Sequence, residues 1–135
     1  MRTAAIASEY SVLLRLAEQY LIRAEARVKQ DKVSQAIDDL DMIRNRAGLS
    51  LIKITNPTIT KDDLIEAIFE ERQLELFTEQ GHRWLDIKRL GKVDAVMMAV
   101  SSFKGITWDT RKQLWPLPFS DTQNGTNLDQ NPSYN

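Results

Sequence analysis

The chain has 135 residues, 42% of them hydrophobic and 27% charged, with a formal net charge of −1 at pH 7. That length suits one domain with a genuine core, and the balanced charge argues against nucleic acid or an anionic membrane surface as a partner. Without cysteine and with a single histidine, His82, disulfides, thiolate chemistry and a multi-histidine metal site are excluded within one chain, so no metal or cofactor is expected.

The N-terminal stretch MRTAAIASEYS lacks the apolar centre of a signal peptide, and no apolar run approaches the about 20 residues of a membrane span. Residues 8–29 read as a helix, because Leu13, Leu16, Ala17, Tyr20, Leu21, Ala24 and Val28 recur at spacings of three and four. A polar turn follows, in which Asp31 is placed to cap a second helix carrying Val33, Ala36, Ile37, Leu40 and Ile43. That helix is expected to end near Gly48, with Arg44 and Arg46 in its last turn. Tyr20, Ala24, Val33, Ala36 and Leu40 fall at the large–small–large spacings of a tetratricopeptide unit.

Residues 50–57 read as a loop ended by Asn56-Pro57. Thr60 to Asp63 form a capping box that opens a third helix running to about Glu79. Gly81 turns the chain into a short fourth helix, His82 to Leu90, and residues 93–100 form a fifth. Residues 61–90 thus repeat the layout of residues 10–48, and two stacked hairpins are expected. Pro116 and Pro118 keep RKQLWPLP (111–118) from being an ordinary helix. The polar tail, residues 120–135, is expected to drape over the helices on Leu128 and Tyr134 or to remain unstructured. The expected class is therefore all-α: a single domain over residues 1–135, with helical hairpins at 8–48 and 61–100 and a loop-rich tail at 101–135.

Charges concentrate at the corner between the third and fourth helices, where Arg72, Glu75, Glu79, Arg83, Asp86 and Arg89 surround Trp84. These groups admit a sugar-binding cluster, because carboxylates and guanidinium groups hydrogen-bond hydroxyls, or a glycosidase acid/base pair. The helical spacing already explains them as a structural ion-pair network, with Trp84 filling the joint, and no catalytic residue is assigned. Of the other tryptophans, Trp115 is expected to pack the tail onto the helices. Trp108, in a polar loop beside Asp109 and Arg111, is expected to be exposed, and Trp108 and Arg111 are the candidate ligand contacts. His82 reads as a helix-start residue, and Asn124-Gly125-Thr126 as a turn rather than a glycosylation site.

Read together, four stretches resemble the SusD/RagB family: RLAEQYLIRAEA with AIDDLDMIRNRAGL, EERQLELFTEQGHRWLDIKRLG, LWPLP, and NLDQNPSY. The resemblance implies a tetratricopeptide-like helical scaffold from the C-terminal part of a nutrient-binding outer-membrane lipoprotein of Bacteroidetes. It further implies that the parent binds a glycan or other nutrient at the cell surface, caps a SusC-type TonB-dependent transporter, and is not an enzyme. Gln80 stands where the family usually has Glu, Gly125 where it often has Pro, and Ser133 where Gly is usual. The long N-terminal part of the family, with its signal peptide and lipidation cysteine, is not in this sequence, which implies a fragment whose ligand-binding regions lie elsewhere. Hairpin spacing alone supports a general tetratricopeptide-like interaction scaffold as the alternative function, and the carboxylates alone a glycan-active enzyme.

Overall fold

The computed structural model describes residues 12–125, 127–132 and 134. Every regular element among them is helical: α1 (Leu16–Lys29), α2 (Val33–Arg46), α3 (Ile52–Thr55), α4 (Lys61–Glu75), α5 (His82–Arg89), α6 (Val93–Lys104), a 3₁₀ turn (Thr110–Gln113) and α7 (Phe119–Asn124). The chain divides into two compact units, Met1–Glu79 and Gln80–Asn135.

In the first unit α1 packs against α2 and α4. Ala24 and Ala36 are fully buried between the larger Leu21, Val28 and Leu40, and Tyr20 and Val33 pack on the edge of the same cluster. Small residues let the helix axes approach and the large ones fill the space beside them. This is the tetratricopeptide-like arrangement the spacing predicts. Each large aliphatic side chain so buried contributes about 1.5–3 kcal/mol.

Helix ends follow local chemistry in part. Thr60 Oγ1 accepts from the Asp63 amide at 3.1 Å, as its capping box requires. Gly48, at φ +72°, closes α2 while the Leu49 amide reaches back to the Arg44 carbonyl at 2.8 Å. Other ends correct the sequence reading. Residues 12–15 precede the first helix: Arg15 is extended at its N-cap, and the expected turn from residue 8 otherwise falls outside the described residues. Asp31 does not cap α2. It adopts φ +62° and pairs with Lys61 at 2.5 Å, and Lys32 holds the N-cap position without a side-chain bond.

The expected loop at 50–57 contains α3, because the buried Asp41 carboxylate accepts from the Ile52 amide at 2.6 Å and the Lys53 amide at 3.1 Å. α4 stops at Glu75 rather than Glu79, where Thr78 (φ +61°), Gln80 (φ +42°) and Gly81 (φ +75°) turn left-handed.

In the second unit α5 packs against α6. α6 runs past Val100 to Lys104, closed by Gly105. α7 was not expected in the polar tail; Pro118 precedes it at its N-cap, and the Pro118 carbonyl accepts from Asp121 and Thr122. No helix is long and apolar enough to cross a membrane.

Candidate functional site

In the first unit the carboxylates of the charged stretch are held by guanidinium groups from distant parts of the chain. Extended Arg15 places its guanidinium against the end of α4. There it donates to the Glu75 carbonyl at 2.7 Å, to Glu79 Oε1 at 2.6 Å, and to Glu75 Oε1. Arg46 pairs with the other Glu75 oxygen, Arg44 with Glu71 at 2.9 Å, and Arg72 lies 3.9 Å from Glu18. Glu71 and Arg72 are buried. Arg15, Arg44 and Arg46 were not assigned to this network from sequence, because pairing across 27 to 60 residues leaves no local pattern.

A second network ties α1 to α2. Asp39, only 2% exposed, accepts from Arg23 Nε at 3.0 Å, Arg23 Nη2 at 2.6 Å and Arg27 Nη1 at 2.5 Å. The bond to Asp39 raises the Arg23 pKa above its ordinary value. Arg23 also lies over the Tyr20 ring, 5.0 Å from its centre.

In the second unit, Asp86 is buried and pairs with Arg89 one turn on, at 2.8 Å. Arg83 is half-buried, and so is Trp84, which was expected to fill a joint; Lys88 lies 5.8 Å from the Trp84 ring centre. The tryptophan expectations invert. Trp108 is half-buried and its indole N–H donates to Asp94 at 2.7 Å, an oxygen that Gln113 also reaches at 3.1 Å. Trp115 leaves 78% of its surface exposed. Arg111 is exposed and forms paired bonds to Asp109 at 3.1 and 2.9 Å, which hold the Asp109 pKa below its ordinary value.

What holds the tail is backbone bonding rather than the Trp115 ring. The Gln130 amide pairs with both backbone groups of Leu117, accepting from its N–H at 2.7 Å and donating to its carbonyl at 3.0 Å. Asn131 donates to the Trp115 carbonyl at 2.6 Å, and the Tyr134 hydroxyl to the Leu114 carbonyl at 3.1 Å. Tyr134 thus anchors the tail as expected, whereas Leu128 stays exposed. The QNP run was visible as a motif, but its bonding role was not. Thr126 and Ser133 lie outside the described residues. Among the described residues no group of three or more histidine, cysteine or acidic side chains is placed to hold a metal ion.

Mixed ion pairs, backbone clamps and half-exposed aromatics form a scaffold able to bind polar ligands. The SusD family model matches residues 1–134, and the chain belongs to that family. It is 34% identical over 128 residues to "SusD-like protein P38" of Formosa agariphila, a match covering 91% of this chain and 24% of that protein. It is 32% identical over 126 residues to "Starch-binding protein SusD" of Bacteroides thetaiotaomicron, covering 90% of this chain and 21% of that one. The chain therefore spans less than a quarter of the length of these relatives. No solved structure matches it significantly.

Proposed function

We propose that this chain is the C-terminal helical scaffold of a surface-exposed outer-membrane lipoprotein that binds a glycan or related nutrient for a SusC-type TonB-dependent transporter. The observation that carries the reading is family membership over residues 1–134. The name of the starch-binding relative supports a carbohydrate as the nutrient class. In this reading Trp108 and Arg111 contact the ligand in the second unit. The Trp108 ring face stacks on a sugar while its N–H remains on Asp94.

The role is binding rather than catalysis. Glu75 and Glu79, the carboxylates first considered for acid/base work, are engaged by Arg15 and Arg46. A paired carboxylate is held ionised, which suits a structural tie better than a general acid.

The test is affinity purification of a tagged polypeptide of SusD length carrying this sequence from its host membrane. The expected result is recovery from the outer membrane with a TonB-dependent transporter, together with retention on a glycan matrix that Trp108→Ala weakens. Recovery from the cytoplasm, with neither partner, overturns the proposal. The tetratricopeptide-like packing of α1 on α2 favours one second reading, a protein-interaction scaffold. Retention of a peptide in place of a glycan would support that reading.

A further inference from the structure

The first unit carries a groove that the charged networks do not fill. Its central depression, about 530 Å³, is lined by Tyr20, Arg23, Asp38, Met42, Asn45 and Lys53 among others. A second depression of about 390 Å³ shares Asp38 and Lys53 and continues to Val33 and Pro57. A third, of about 310 Å³, shares Tyr20 and Arg23 and continues along α1 to Gln19 and Leu16. Shared lining residues make the three one continuous channel, the shape a linear ligand needs. Its volume falls in the range of about 300–1,000 Å³ in which small-molecule sites lie.

The lining sets the ligand class. Asp39 and Asp41 are consumed, the first by Arg23 and Arg27 and the second by the α3 amides. The exposed polar groups along the groove are Gln19, Asp38, Asn45 and Lys53, of both signs and neutral. Such a surface favours neither a polyanion nor a polycation. Tyr20 and Met42 add apolar area, and the guanidinium of Arg23, fixed by Asp39, forms a preorganised planar wall.

We propose that this groove is a binding site for a neutral, linear oligosaccharide. Tyr20 and Met42 contact the C–H faces of the sugars, and Arg23, Asp38, Asn45 and Lys53 hydrogen-bond their hydroxyls. The proposal rests on the glycan-binding reading and adds to it a site on the scaffold itself, separate from Trp108 and Arg111.

The test titrates the isotope-labelled 135-residue chain with maltoheptaose, xylohexaose and mannohexaose, reading amide shifts. The expected result is saturable shifts at Met42, Asn45 and Lys53 with at least one sugar, and affinity at least tenfold weaker in Asn45→Ala and Asp38→Ala. Both positions are exposed, so these variants keep the test sound if Tyr20→Ala, at the core edge, fails to fold. Shifts confined to residues 80–135 overturn the groove while leaving glycan binding standing. Unchanged affinity in the variants, or no shifts with any sugar, also overturns the groove. The glycan-binding reading is then decided separately by the membrane purification above.

Discussion

At the scale of single residues, Asp94 has the clearest dependence on pH. The Trp108 bond holds its pKa below the ordinary 3.8, with Gln113 and Thr110 adding to the effect. A depressed carboxyl stabilises the fold above its unfolded pKa, and the contribution is lost as pH falls through the lower folded value. The Trp108 indole N–H resonance should therefore hold its position from neutral pH to about pH 4 and move on further acidification. Asp94→Asn should abolish that movement, and matching profiles in the two proteins would remove Asp94 from the latch. The tryptophans also differ in access. Trp115→Phe should remove the largest share of acrylamide-quenchable fluorescence and Trp108→Phe a smaller share. The sequence suggested the reverse, because Trp108 sits among polar neighbours and Trp115 among apolar ones. A hydrogen bond to Asp94, 14 residues away, outweighs that local context.

At the scale of elements, two short features depend on single side chains. Asp41 serves two amides of α3 from within α2, and it is buried. Asp41→Ala leaves those donors without their acceptor and should cost about 1–3 kcal/mol in urea unfolding, with Asp41→Asn costing less. Thr78 is β-branched at φ +61°, a conformation that strains such a side chain by about 1–2 kcal/mol. Thr78→Gly should recover part of that and raise the unfolding midpoint; a lowered midpoint would mean that the threonine side chain has an offsetting role. The close approach of α1 and α2 at Ala24 and Ala36, both fully buried, makes Ala36→Leu an overpacking change costing about 1–3 kcal/mol.

At the scale of the whole molecule, the two units differ in buried content. Leu21, Leu40, Leu64, Ile68 and their neighbours form one buried cluster in the first, whereas the buried apolar residues described after residue 79 are Ile87 and Val93. Amide hydrogens of α1, α2 and α4 should accordingly exchange more slowly than those of α5 and α6. Equal protection would show that the smaller cluster is as cooperative as the larger.

The sequence by itself determined the all-helical class, the tetratricopeptide-like hairpin, the Thr60 cap, the turns at Gly48 and Gly81, and the family. Apolar period, cap chemistry and left-handed glycines act within a few residues, and motif order survives as plain text. Tertiary structure decided where the charges go. Arg15 meets Glu75 across 60 residues, Asp41 builds a helix from a different helix, and Gln130 supplies Leu117 with the partner a neighbouring strand would give. It also joined Tyr20, Asn45 and Lys53 along one groove. Pairings of this kind depend on which surfaces the packed helices bring together, and no local pattern in the chain encodes them.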